Sequence, residues 1–293
     1  MKRNWLLYLG LLGVALFWGN VFVANKYLLQ HTTPLHLAAL RMIPAGALFG
    51  LFLLALRRAP MMALLRDVRW KVLWLCLFGT VLNTVTMTIG QQAVPGGTGS
   101  LVASTNPLFT FILSALFLGE RPTLKKAFGL ALAFTGVLII VRWAGGQRVD
   151  VPYLLGFLVL LCSPFFWAIF TVMAKPIIAR HDPLVVVATT TALGAVPFLF
   201  FLADGRLIEE AGLFPLSAWL SVAFLSVIAT VLAFILWFSA LKRLQATQVA
   251  VFLYFVPAVG VTFSKLLLDE PITLPLILGG LIILSGVALI NRG

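Results

Sequence analysis

Residues 72–119 form a run of 48 positions without one charged side chain. Further uncharged runs cover 4–25, 151–174, 211–241, 244–264 and 271–291. A helix needs about 20 apolar residues to cross a bilayer. Only helices and closed barrels satisfy their own backbone there, and the alternating pattern of a barrel strand is absent. Composition agrees with this reading. The chain is 61% apolar and 10% charged, whereas a soluble domain carries roughly a quarter charged residues. The fold class is therefore all-α integral membrane. VPGGTG divides the longest run as a turn. The spans expected are about 5–25, 35–56, 71–91, 97–118, 124–141, 153–174, 184–203, 215–239, 246–268 and 274–291, ten in all.

The chain repeats itself. FWGNVFVANKYLLQHTTP at 17–34 returns as FWAIFTVMAKPIIARHDP at 166–183. Trp18, Lys26 and Pro34 recur as Trp167, Lys175 and Pro183, each displaced by 149. Pro107, Gly119-Glu120, Gly129 and Gly136 recur as Pro257, Asp269-Glu270, Gly279 and Gly286, displaced by 150. This is an internal duplication, with halves at 1–145 and 146–293. Five spans per half is an odd number, so the second copy enters the membrane from the opposite side. Inverted repeats of this kind build many secondary transporters, with binding near the midplane between the halves.

The net charge of +12 is a matter of topology and not of nucleic-acid binding. With the N-terminus inside, 15 of 21 basic residues fall on inner segments, five on outer ones, and Arg41 lies within a span. Six of nine acids fall outside. The basic bias places both termini in the cytoplasm. The first span follows MKRN as a leader would, but its apolar run is long and no small-residue cleavage site follows, so it reads as a retained span. Cys76 and Cys162 lie inside spans with no CxxC or Cys/His cluster, which predicts buried, inert thiols and neither metal site nor cofactor.

LAALRMIPAGALF in the second span and NPLFTFILSALFLGERPTLKKAFGLALAFTGVLIIV across the fourth and fifth resemble the EamA family of the drug/metabolite transporter superfamily. So does VPAVGVTFSKLLLDEPITLPLILGGLIILSGVALINR near the C-terminus. The resemblance implies ten helices, a bacterial inner-membrane location, and export of amino acids or related small metabolites. Aromatic amino-acid exporters are the most similar members, although NTVTMTIGQQ in the third span lacks an aromatic residue.

Several residues are candidates for handling a solute. Trp18 and Trp167 sit far from the interfacial belts where membrane tryptophans collect, and they suit aromatic walls of a cavity. Arg41 is a charge inside a span, costly unless it snorkels or faces water. Its repeat mate is Thr190, and a task performed once, such as pairing with a carboxylate, fits that asymmetry. Asn83, Thr86, Met87 and Gly90 share one face of the third span, whereas the matching AFILWFSAL is apolar and contains Trp237. Ser100, Ser104, Pro107, Phe111 and Ser114 share a face of the fourth span, with Tyr254, Pro257 and Ser264 as equivalents in the ninth.

Pro107 and Pro257 each remove a backbone hydrogen bond and are the hinge candidates. Lys26 and Lys175, at the C-terminal ends of the first and sixth spans, suit the helix dipole and the headgroups, or a gating role, one per side. Glu120 and Glu270 suit the positive ends of the helices that follow them. No span holds an acid or histidine well inside, which favours a facilitator or exchanger over a proton-coupled carrier. The expected partners are a small molecule and the bilayer; the sequence does not set the oligomeric state, and a monomer is compatible with it. Nucleotide-sugar or organophosphate transport is the alternative within the superfamily. An integral-membrane enzyme is the alternative outside it, but no nucleophile–base or metal constellation is evident.

This topology predicts that single cysteines at Gly145 and at the C-terminus, in a Cys76→Ala/Cys162→Ala background, are labelled from opposite sides. Labelling of both from one side would overturn it.

Overall fold

The computed structural model describes residues 5–117, 123–143, 150–203, 205–244, 249 and 251–291. Helices account for all the regular structure among them. Eight helical segments are long and apolar enough to cross a membrane: α1 (Trp5–Leu28), α2 (Pro34–Leu56), α3 (Lys71–Ala93), α4 (Gly96–Phe117), α6 (Val151–Ile178), α7 (Pro183–Ala203), α8 (Leu216–Leu241) and α9 (Val251–Leu268). Two further apolar helices among the described residues, α5 (Leu124–Trp143) and α10 (Leu274–Asn291), pack against each other beside them. Short helices at Arg58–Val68 and Arg206–Gly212, unexpected from the sequence, occupy the connections after α2 and α7. The outside is apolar, with Leu51, Phe117, Phe200 and Leu281 all exposed, as a lipid-facing surface requires.

Helix starts follow local chemistry. Thr33 accepts a hydrogen bond from the His36 backbone N–H ahead of Pro34, and Asp182 accepts from Leu184 N–H ahead of Pro183. Asp150 does the same for Tyr153 N–H with Pro152 in the first turn. Each is an N-cap followed by a proline that has no N–H to leave unpaired.

Four of the long helices depart from α geometry in matched places. α3 is π-helical over Leu77–Leu82 and α8 over Phe224–Leu232. α4 is interrupted between Gly96–Ala103 and Asn106–Phe117, while α9 opens with a 3-10 turn, Val251–Tyr254, before Phe255–Leu268. Pro107 and Pro257 therefore stand in the first turn of a new helical segment, where a missing N–H costs little. The interruption precedes each proline and does not occur at it.

The packing is reciprocal. α1 lies against α8 and α9, as α6 lies against α3 and α4; α2 pairs with α7 and α5 with α10. Exchanging each helix for the one five places along the chain reproduces this set. The α5–α10 contact is made through glycines. A Cβ on Gly286 would lie 2.5 Å from Gly129 O and 2.6 Å from Ala133 N, and one on Gly136 2.6 Å from Gly279 O. Backbones meet there directly, as small residues allow. Cys76 is buried as expected, but Cys162 is exposed on the outer surface of α6. Its register turns it away from the bundle, and Sγ donates to Leu158 O at 3.4 Å.

Overpacking such a contact costs about 1–3 kcal/mol. Gly286→Val is therefore expected to lower the melting temperature of the purified protein by several degrees. The exposed Leu281→Val should leave it nearly unchanged. Equal melting of both variants and wild type would contradict the close α5–α10 contact.

Candidate functional site

A cavity of about 300 Å³ lies between the halves of the chain. Trp18, Arg41, Asn83, Met87, Ser104, Trp167, Trp237 and Tyr254 all line it, together with Pro107. They come from α1, α2, α3, α4, α6, α8 and α9, so the site exists only once both halves have folded together. Lys26, Lys175 and Pro257 do not line it.

One wall is aromatic. Trp18 and Trp237 have ring centroids 5.1 Å apart, and Trp167 stacks on Phe234 at 6.1 Å with 9° between planes. Phe234 also meets Trp18 edge-on at 6.0 Å. The two tryptophans of the repeat are thus bridged by one phenylalanine of α8. Trp18 Nε1 donates to Ala229 O at 3.1 Å, a carbonyl inside the π-helical part of α8. That bond satisfies the indole N–H and fixes the ring.

The other wall is polar. Asn83 Nδ2 donates to Ser163 O at 3.0 Å and to Ser163 Oγ at 3.1 Å, and Asn106 Nδ2 donates to Pro164 O at 2.9 Å. Both asparagines keep their side-chain carbonyls for other partners; Asn106 Oδ1 accepts from Thr110 at 3.4 Å. Ser104 Oγ donates to Ser100 O at 3.1 Å. Among the described residues the Arg41 guanidinium makes one contact with an acceptor, Nη1 to Met87 Sδ at 4.0 Å, and its Nε is sealed off with no acceptor. Among the described residues no carboxylate lines the cavity. The expected shared face of α3 is divided: Asn83 and Met87 face the cavity, whereas a Cβ on Gly90 would strike Leu160 N of α6 at 2.4 Å.

Polar ties close the bundle at both ends. At the end where α1 meets α2, Lys26 Nζ donates to Gln91 O (3.3 Å) and Gln92 O (2.9 Å), the last carbonyls of α3. Glu270 accepts from Gly96 N–H (2.8 Å) and Gly97 N–H (3.0 Å) at the start of α4. Lys26 stands in the last turn of α1 as expected and also serves the C-terminus of α3. Glu270 corrects the sequence expectation, because it serves the N-terminus of α4 in place of α10. Glu120 lies outside the described residues. Lys175 is exposed near the end of α6.

Beside these, Glu210 accepts from Thr32 Oγ1 at 2.6 Å and meets His36 Nδ1 at 2.8 Å. At the opposite end Asp67 meets His181 Nε2 at 2.8 Å and Arg180 Nη1 at 3.2 Å, and Asp182 meets Lys242 Nζ at 2.6 Å. Burial alone would raise the Glu210 pKa, but the hydrogen bonds from Thr32 and His36 outweigh it and hold the carboxyl below its ordinary range.

The EamA-like transporter family matches this chain twice, over residues 5–142 and 154–292. The chain belongs to that family. It is 30% identical to an uncharacterized transporter of Archaeoglobus fulgidus over 94% of this chain and 95% of the relative. It is also 30% identical to a probable amino-acid metabolite efflux pump of Salmonella typhimurium, over 93% and 90%. A probable terminal-alkyne amino-acid exporter of Streptantibioticus cattleyicolor is 31% identical over 71% and 68%. A solved crystal structure superposes with a TM-score of 0.61 over 96% of this chain and 94% of that one, at 23% identity, and so shares the fold. The chain is a multi-pass membrane protein of transporter type.

Sequence reasoning missed Phe234, Asn106, Ser163 and Pro164. Pro164 inside a span was the available signal, because a helix-interior proline removes the hydrogen bond to the carbonyl four residues earlier and bends the chain.

A depressed carboxylate pKa stabilises the fold fully above the ordinary glutamate value, and that contribution is lost as pH falls through the folded value. Glu210→Gln should therefore melt lower than wild type at pH 7, and the two should converge near pH 3. A gap that persists at pH 3 would rule out ionisation of Glu210 as its source.

Proposed function

We propose that this chain is a secondary carrier that exports amino acids or related small amphipathic metabolites across a bacterial inner membrane by alternating access. In this reading ten spans form two inverted five-helix repeats, 1–145 and 146–293, with both termini in the cytoplasm. The reciprocal packing supports the inverted halves. The polar ties support the alternation of spans, because each joins only connections expected on one side.

The observation that carries the proposal is the two-walled cavity. A single guanidinium faces it from α2, and three tryptophans face it from α1, α6 and α8. A volume of about 300 Å³ is at the small end of ligand pockets. It suits one amino-acid-sized molecule, with its carboxylate at Arg41 and its apolar part against the tryptophans. An ammonium group would be received by the indole faces, since the described lining offers no acid. One cation is poor provision for a dianionic phosphate, which disfavours the nucleotide-sugar reading. The relatives named as amino-acid exporters point the same way.

Counterflow in proteoliposomes tests this. Saturable exchange of amino acids is expected without an imposed pH gradient, because no described lining residue could relay a proton. Trp18→Ala and Trp167→Ala should each impair it while inserting normally. A charge-assisted hydrogen bond contributes about 1.5–3 kcal/mol. Arg41→Lys should therefore weaken carboxylate substrates by about tenfold or more, and Arg41→Gln further, while amide analogues change little. Equal losses for acid and amide analogues would remove Arg41 from substrate recognition. Strict dependence on a pH gradient would refute the exchanger.

A further inference from the structure

Behind the main cavity lies a second chamber of about 40 Å³, bounded by α2, α3, α6, α7 and α8. It shares Arg41, Asn83, Trp167 and Phe234 with the main cavity, so the two adjoin. Its remaining character is set by threonines, Thr80, Thr84, Thr190, Thr191 and Thr230. We propose that this chamber is a small-anion site, which holds a chloride ion against Arg41 when no substrate is bound.

The first argument is charge. Arg41 has no ion-pair partner among the described residues, and its one acceptor is a thioether at 4.0 Å. Thioether sulfur is a weak acceptor, and a buried charge left uncompensated is strongly disfavoured. Water in the chamber would hydrate the guanidinium but would not neutralise it. A cation is excluded by the same charge, and the described lining has no acid to bind one.

The second argument is the set of donors. Thr80 Oγ1 donates to Thr190 O at 3.1 Å, Thr190 Oγ1 to Val187 O at 3.0 Å and Thr230 Oγ1 to Leu225 O at 2.8 Å. Thr84 and Thr191 line the chamber without such a bond among the described residues, so their hydroxyl hydrogens are available to an anion. The third argument is size. A water requires about 10–15 Å³ of such space, so the chamber admits one monatomic anion with a water or two. A phosphate ester or sugar does not fit.

The test uses the full-length protein purified without substrate, so it stands whether or not amino acids prove to be the cargo. Melting is followed while sodium chloride replaces sodium methanesulfonate at constant ionic strength. A saturable upward shift with chloride is expected, reproduced by bromide. Arg41→Gln should abolish it. Thr84→Val and Thr191→Val should each raise the half-saturating chloride concentration about tenfold, the loss of one hydrogen bond to a charged group. Identical melting in the two salts would overturn the proposal, as would a chloride response retained in Arg41→Gln. If Arg41→Gln does not yield folded protein, the threonine variants decide: an unchanged half-saturation in both refutes the site.

Discussion

Within hydrocarbon, a backbone N–H or C=O without a partner costs several kcal/mol, and the rest of this molecule is arranged around that cost. Helix geometry is interrupted at the seam between the halves in α3, α4, α8 and α9, and α7 has a further 3-10 turn at Val196–Leu199. Side chains cross the seam to meet backbone there. Trp18 reaches Ala229 O, Asn83 reaches Ser163 O, Asn106 reaches Pro164 O, and Glu270 receives the first amides of α4. Irregular backbone at membrane depth is tolerated only where protein or a cavity surrounds it. Of these backbone partners Ala229 O lies within the π-helical stretch of α8, so that irregular stretch and the aromatic wall of the cavity are tied together by one bond.

The same cross-seam bonds explain why the aromatic wall is rigid enough to be a wall. Trp18 is held by its indole N–H, and Trp167 by stacking on Phe234, so neither ring is free to collapse into the space between them. Elsewhere along the seam, α5 and α10 meet glycine to glycine, and of their described residues Leu284 and Val287 of α10 line the cavity.

Much of this was legible in the sequence, for identifiable reasons. Trp18 and Trp167 stood out because a membrane tryptophan far from the interface lacks its usual reason to be there. Arg41 stood out because a charge within a span requires an explanation. The positions of the eight helices long and apolar enough to cross a membrane followed from the apolar pattern, and their ends shifted by only a few residues. The partners of Lys26 and Glu270 were not legible. Glu270 lies 174 positions from Gly96, and no local pattern announces such a pairing. The π-helical stretches left no composition signal either. The threonine-lined chamber was hidden because a helical threonine ordinarily bonds its own preceding turn, as Thr86 and Thr171 do here. Which threonines depart from that habit is decided by tertiary packing.

The solitary guanidinium also fixes an electrical property. An arginine side chain stays protonated throughout the physiological pH range, and no acid lines the described cavity. The site therefore carries one positive charge whatever the proton concentration. In the proposed cycle a monoanion would make the loaded carrier neutral, whereas a zwitterion would leave its charge in place. Membrane potential acts with about 2.3 kcal/mol per charge per 100 mV on whatever crosses the full field. Voltage would thus weigh on the zwitterion-loaded form and pass over both the anion-loaded form and the empty form with its proposed chloride. The valence of the cargo would set the electrogenicity of transport.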